Sequence, residues 1–197
     1  MNDFVTNYTK STRKELVELV QAQMSEKRFR HVLGVEEMAI LLAEKYQVST
    51  TKASIAALVH DYAKERPAAD FLAYIEREQL DPDLKQWGNA IWHGVVGAAI
   101  IQHELGIKDE EILEAVRIHT TGAAQMSQLA KVLYVADYIE PGRVFPGVEE
   151  ARRLAFEELD AAVAYETKQT LAFLVAKEAK IYPKTIETYN KWVAKGN

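Results

Sequence analysis

The chemistry in this chain starts at His60-Asp61, where the apolar run Ala57-Leu58-Val59 meets an imidazole and a carboxylate side by side, with Lys64 close behind. A neutral imidazole nitrogen and a hard anionic oxygen at one helix end are a ready pair of ligands for a divalent metal. The pair alone is common. Its company gives it weight: His31 lies upstream, and His93, His119 and Asp137 lie downstream, each on a segment with helical periodicity. A lone histidine on an apolar face is more often a hydrogen-bonded core residue than a ligand, and His103, beside Glu104 near a helix end, reads as a surface or capping residue. Asp137 is different. It shares the inner side of a helix with Leu133 and Ala136, and a carboxylate there is costly unless a cation or metal compensates it. Taken jointly, His31, His60, His93 and His119 with Asp61 and Asp137 point to a buried metal site.

The elements that must position these groups all read as helices. Thr12 and Glu15 form a capping box ahead of Leu16, Leu19, Val20 and Met24. A basic patch, Lys27-Arg28-Phe29-Arg30, leads into His31, which opens a helix running to about Tyr46. Ser49 caps the helix that ends at His60-Asp61, and its small residues Ala53, Ala56, Ala57 and Ala63 let neighbouring helices approach. Pro67 suits the first turn of a helix carrying Phe71, Leu72 and Ile75, which Asp81-Pro82-Asp83 breaks. A segment from Asn89 to Leu105 carries Trp92 and His93 and stops at Gly106. Asp109 caps a helix that places His119 on the face of Ile112, Ala115 and Val116, and Gly122 punctuates it. Ser127 caps the Asp137 helix, which Pro141-Gly142 stops. Further helices span about 148–159 and 160–180, followed by a break at Tyr182-Pro183 and a last short helix ending near Lys195. Residues 1–10 read as a loosely held lead-in. With no repeat, no low-complexity tract and no alternating strand, the expected fold is all-α: a single helical globule of about eight to ten helices around a buried metal site.

Composition bounds the function. The 197 residues fit one domain spanning 1–197, and 48% hydrophobic with 27% charged residues is ordinary for a soluble protein. Nine glycines and 5 prolines supply too little turn chemistry for a many-stranded β fold. The net charge of -5 argues against sequence-independent nucleic-acid binding. It leaves room for a small phosphorylated substrate, because a metal and a few local cations make one pocket positive. The absence of cysteine excludes disulfides, thiolate zinc sites and cysteine nucleophiles, and is compatible with the expected cytoplasmic location. The polar start, Met1 to Tyr8, lacks the apolar core of a signal peptide, and no run approaches a membrane span. Oligomeric state stays open, a homodimer included.

The order His31 … His60-Asp61 … Asp137 resembles that of the HD superfamily of metal-dependent phosphohydrolases, over roughly residues 27–185. Five stretches narrow the resemblance: Arg30-His31-Val32-Leu33-Gly34-Val35, His60-Asp61-Tyr62-Ala63-Lys64-Glu65, Trp92-His93-Gly94, Ile118-His119-Thr120-Thr121-Gly122 and Ala136-Asp137-Tyr138-Ile139-Glu140-Pro141-Gly142-Arg143. Together they look like the bacterial HD-type symmetrical bis(5′-nucleosyl)-tetraphosphatases. The His-Thr-Thr-Gly string and the run from Ala136 to Arg143 are specific; the bare His-Asp pair is not. The resemblance implies that His31, His60, Asp61 and Asp137 ligate one or two transition-metal ions, iron first and manganese or cobalt as alternatives, with His93 and His119 near a second metal position or the phosphates. Nitrogen and oxygen ligands without sulfur do not choose among such ions. It also implies a nucleoside diphosphate held between the metal and the C-terminal helices, at Ala179-Lys180-Ile181-Tyr182-Pro183-Lys184, with Arg30, Tyr62 and Ala63 beside it.

The chemical problem is in-line attack of water on a phosphorus shielded by negative oxygens, and a bound metal lowers the pKa of its water. Asp61 has two oxygens to share between two ions. Lys64, one turn on, reaches a phosphate if the helix continues past Asp61. Arg143 can clamp a phosphate bidentately. Thr120 and the amides near Gly122 can donate hydrogen bonds, and His93 and His119 can stabilise phosphate charge or protonate the leaving diphosphate. On this reading Asp61, Lys64, His93 and His119 carry catalysis, and diadenosine tetraphosphate yields two ADP. Plainer roles compete: Lys64 as a solvated lysine, Arg143 paired with Glu140 or Glu149, and 179–184 as an ordinary helix–helix turn. So do other functions: another HD-superfamily nucleotide phosphohydrolase or phosphodiesterase, a non-catalytic nucleotide-sensing module, or a purely structural helical protein.

Overall fold

The computed structural model describes residues 7–195, so the first part of the expected lead-in, residues 1–6, lies outside the described residues, as do residues 196–197. The described chain forms α1 (Arg13–Gln21), α2 (Glu26–Lys45), α3 (Thr50–Val59), α4 (Ala68–Arg77), a 3-10 turn (Pro82–Gln86), α5 (Asn89–Leu105), α6 (Glu110–Ile118), α7 (Gln128–Ile139), α8 (Val148–Glu157), α9 (Leu159–Ala176) and α10 (Pro183–Trp192). No strand occurs among the described residues. The all-α expectation holds.

Helix α3 is the centre. Every residue from Ala53 to Val59 is buried, so the helix has no polar face and belongs in the interior. Helix α2 packs along it, α6 and α7 press on it from other sides, and α1 adds a cover. Helix α5 packs on α6, α6 on α7, and α9 on α7, with α8 and α10 against α9. The N-termini of α1, α2, α3, α6 and α7 are capped by Thr12, Ser25, Ser49, Asp109 and Ser127, whose side chains accept backbone N–H groups. Gly106 ends α5 in the left-handed conformation.

Four expected boundaries are corrected. Helix α2 begins at Glu26, not at His31, because Ser25 caps it and lysine and arginine are good helix formers. The basic patch is thus its first turn and Arg28 stands one turn before His31. Helix α3 does not continue through Lys64: residues 60–65 run as tight turns, with Tyr62 N to Val59 O at 3.1 Å and Lys64 N to Asp61 O at 2.9 Å. Pro67 stands just outside α4, as its N-cap. Helix α9 stops at Ala176, and Glu178 takes a positive φ of 52° that a continuing helix forbids.

The turn that carries Asp61 is tied down from one side by a single carboxylate. Glu104 on α5 accepts from the Tyr62 hydroxyl (3.0 Å), the Tyr74 hydroxyl (2.8 Å) and both terminal nitrogens of Arg66 (2.7 and 2.6 Å). The Arg66 hydrogen bonds, aided by the tyrosine hydroxyls, hold its pKa down at about 2. A carboxyl depressed in the folded state stabilises the fold fully above its ordinary value of 4.5 and loses that contribution as pH falls toward about 2. In metal-free protein, Glu104→Gln should therefore flatten the decline of unfolding free energy between about pH 5 and pH 3, measured by denaturant titration. Parallel declines in the two proteins would show that the tie carries no pH-dependent stability.

Candidate metal centre

Two histidines end helices in the same way. His60 follows the last residue of α3 and His119 the last residue of α6. The Nδ1 atom of each donates to the carbonyl three residues back, Ala57 and Val116, both at 2.7 Å. Carbonyls in a last helical turn have no intrahelical N–H to accept, so each histidine satisfies one and fixes its own tautomer. His93, in the first turns of α5, donates Nδ1 to the Asn89 carbonyl at 2.5 Å. His31 on α2 presents Nδ1 to Glu140 at 3.1 Å. Two glycines permit these approaches. A Cβ at Gly34 would lie 2.7 Å from Glu140 Oε2, and one at Gly94 would press on the Val116 and Arg117 carbonyls at 3.2 Å, keeping α5 and α6, and hence His93 and His119, apart.

With the Nδ1 atoms engaged, the Nε2 atoms turn inward. Those of His31, His60 and His119 are buried without a hydrogen-bond partner. Orphaned polar atoms are costly inside a protein, and these three stand around a buried carboxylate. Asp61 Oδ2 lies 3.7 Å from His31 Nε2 and 3.6 Å from His60 Nε2; Oδ1 lies 3.5 Å from His93 Nε2 and 3.9 Å from His119 Nε2. Asp137 Oδ1 is 3.1 Å from His31 Nε2. Three overlapping groups of ligand atoms result, His31–His60–Asp61, His60–His119–Asp137 and Asp61–His93–His119, each within 4.8 Å. Bare imidazole nitrogens, each braced at its other nitrogen, together with two carboxylates make a donor set that fits a divalent transition metal.

The electrostatics agree. Burial alone would raise the Asp61 carboxyl, but the surrounding imidazoles, His60 and His93 foremost, outweigh it and hold it below the usual range. Burial opposes ionisation of Asp137 too, and the His31 imidazole 3.1 Å away overcomes it. Burial drives His93 down to about 3, helped by His119 and Lys64, and His119 down to about 4, helped by His60. Both are neutral near pH 7, the form that ligates. His31 is raised, its burial outweighed by the neighbouring Asp137.

The six residues expected at the centre therefore come together. Lys64 is not a solvated lysine: its Nζ rests 3.1 and 3.2 Å from the ring nitrogens of His93, and burial lowers its pKa. Arg143 bonds Asp137, with Nη2 to Oδ1 at 2.6 Å and Nε to the carbonyl at 3.0 Å, and only approaches Glu140 (3.8 Å). Arg30 is exposed on the wall of a cleft of about 790 Å³ that reaches His31 and Arg143. Tyr62 and Ala63 are buried, with the Tyr62 hydroxyl turned to Glu104, away from the cluster. Of 179–184, Lys180 and Tyr182 line a second cavity of about 270 Å³ together with Thr120 and Trp87, while Ala179, Ile181, Pro183 and Lys184 do not. Thr188 on α10 donates to the Thr121 carbonyl at 2.9 Å and pins that region to the Thr120 loop.

Sequence reasoning missed three residues. Arg28 donates to Asp61 Oδ2 at 2.8 Å; its signal is the i, i+3 spacing to His31, visible only once α2 is begun at Ser25. Glu140 braces His31, and its signal is the same spacing from Asp137. Trp87 meets Tyr182 edge to face with ring centroids 4.9 Å apart; nothing in its local sequence marks it.

An all-helical fold with a His/Asp cluster assembled from the ends and faces of α2, α3, α5, α6 and α7 defines a class, and the sequence places the chain in it. The profile of the HD domain matches residues 28–142, and the chain belongs to that family. It is 44% identical over 185 residues to a protein of Bacillus subtilis (strain 168) named bis(5'-nucleosyl)-tetraphosphatase, symmetrical, covering 94% of this chain and 99% of that one. A Staphylococcus aureus (strain NCTC 8325 / PS 47) protein of the same name is 41% identical over 174 residues, covering 87% of this chain and 90% of its own. The crystal structure of an HD superfamily hydrolase from Clostridium acetobutylicum, described as involved in NAD metabolism, superimposes with a TM-score of 0.87 at 37% identity, covering 92% of this chain and 96% of that one.

Replacing the brace should weaken the site without removing a ligand. Glu140→Ala is expected to lower metal affinity about 10–100-fold, whereas His60→Ala or Asp61→Ala leaves no bound metal after dialysis. Metal content by plasma emission, with circular dichroism as the folding control, checks both; full metal content in Asp61→Ala would remove the cluster as the metal site.

Proposed function

We propose that this chain is a metal-dependent hydrolase that cleaves diadenosine tetraphosphate at its central linkage, giving two ADP. The geometry by itself supports metal-assisted hydrolysis of a phosphate ester or anhydride. The observation that carries the substrate is the shared name of relatives at 41–44% identity across most of both chains. In this reading His31, His60, Asp61 and Asp137 hold the ion, iron before manganese or cobalt. Asp61, with one oxygen toward His31 and His60 and the other toward His93 and His119, would have an oxygen to offer a second ion. The bound ion supplies Lewis acidity and activates water at the site.

The chain's own groups handle the substrate's charge. Arg28 on Asp61 and Arg143 on Asp137 stand where phosphate oxygens must come, and each guanidinium can bind two of them. Lys64 Nζ faces the same centre from His93. Its pKa is lowered by burial, so it releases a proton more readily than a free lysine and can neutralise or protonate the departing diphosphate oxygen. His93 and His119, neutral near pH 7, hydrogen-bond rather than repel or attract. Thr120 Oγ1 is buried without a partner and adjoins the cavity of Trp87, Lys180 and Tyr182, where one nucleoside can lie with its base against the aromatic rings. Tyr62 and Ala63 contribute by holding the Asp61 turn. Lys180 and Tyr182 represent the 179–184 segment at the ligand.

Metal-loaded protein incubated with diadenosine tetraphosphate should give ADP as sole product. Lys64→Ala, Arg28→Ala and Arg143→Ala should each keep metal and lose turnover by about 10²–10³-fold. AMP with ATP as products would overturn the position of attack, and wild-type turnover in Lys64→Ala would end the role given to that lysine.

A further inference from the structure

A tetraphosphate bridge carries two nucleosides, and the cavity of Trp87 and Tyr182 has room for only one. Its volume of about 270 Å³ lies just below the usual range for a small-molecule site, about 300–1,000 Å³. The other cleft, about 790 Å³, shares no lining residue with it and reaches from His31 and Arg143 along α2. We infer that this cleft binds the second nucleoside 5′-diphosphate half of the substrate, a subsite distinct from the aromatic one; the inference rests on the hydrolase reading above.

The cleft brings together the kinds of group such a half needs. Lys27 and Arg30, exposed and one turn apart on α2, line it on either side of Arg28. Arg28 and Arg143, paired with Asp61 and Asp137, serve the phosphates at the cluster itself. Lys27 and Arg30 have no hydrogen bond or ion pair among the described residues, which leaves two free cations where a diphosphate would lie. Leu33 and Pro141 add apolar wall, with Gly34 between them packed against Glu140 and Pro141. Beyond them, about 10 Å along the helix from Arg30, stands the unpaired carboxylate of Glu37, an acceptor for ribose hydroxyls or a base amine. A site for inorganic phosphate alone would have no use for the apolar stretch or for a carboxylate.

The two subsites differ in kind. One closes on aromatic rings; the other is an open, charged trough. A symmetric substrate therefore meets an asymmetric site, and the half in the trough is the one held by exposed charges, hence the one whose binding salt weakens.

The test uses the metal-loaded full chain. Equilibrium dialysis with ADP should show two molecules bound per wild-type chain, one in Lys27→Ala/Arg30→Ala and one in Trp87→Ala. In steady state, the double variant should raise KM for diadenosine tetraphosphate by about tenfold with kcat nearly unchanged, the pattern of lost ground-state binding. Wild-type protein should show a higher KM for adenosine 5′-tetraphosphate, which lacks the second nucleoside. One ADP per wild-type chain at millimolar nucleotide would overturn the subsite, as would an unchanged KM in the double variant. Absence of ADP among the products of wild-type protein would instead overturn the hydrolase reading, so the two failures are separable.

Discussion

Asp61 is a carboxylate buried among apolar helices, and a charge so placed must be compensated or it will not stay charged. Its surroundings are arranged to meet that demand. Four imidazoles and one guanidinium close on its two oxygens within 3.9 Å. The helices supplying them, α2, α3, α5 and α6, could not converge on one atom pair if their contact faces were bulky. Alanines along α3 and glycines at positions 34 and 94 give the clearance. The packing of the core and the chemistry of the site are thus one constraint: the same small residues that let the helices touch bring the ligands within reach of a single ion.

Rigidity comes from helix ends rather than helix middles. At a C-terminal turn the last carbonyls need donors, and at His60 and His119 the donor is the ligand's own second nitrogen. The hydrogen bond that completes the helix also aims Nε2 at the centre. His31, in mid-helix, has no such carbonyl free and takes Glu140 as its brace instead. A carboxylate brace raises ligand basicity more than a carbonyl does. It acts on the histidine whose affinity for protons is already raised by Asp137.

How much of this the sequence showed depends on the range of the interactions involved. His31, His93 and Asp137 were legible because each falls on the inner face of a periodic segment, and His60-Asp61 and His119 because each stands where such a segment runs out at the core. Arg28 was hidden by a misplaced start of α2: with the basic patch read as a lead-in, its spacing to His31 had no meaning. The turn at residues 60–65 was hidden by propensity, since Ala63 and Lys64 favour a helix. Tertiary bonds override that preference. Glu104 holds Tyr62 and Arg66 from one side, and Asn89 donates to the Lys64 carbonyl at 2.9 Å from the other. Trp87 and Tyr182 meet from positions nearly half the chain apart, and no local pattern announces such a pair.

The charges around the centre also couple two kinds of binding. Without an ion, the carboxylates of Asp61, Asp137 and Glu140 are matched in number by the cations of Arg28, Lys64 and Arg143. Those charges offset one another at the centre, while the unpaired Lys27 and Arg30 stand outside it in the cleft. A divalent ion held there would add positive charge in a place sheltered from water, where screening is weak. Were Asp61 and Asp137 to hold such an ion, Arg28 and Arg143 would be free to offer phosphate oxygens the forked geometry they now give those carboxylates. The same two carboxylates would thus couple metal binding to anion binding.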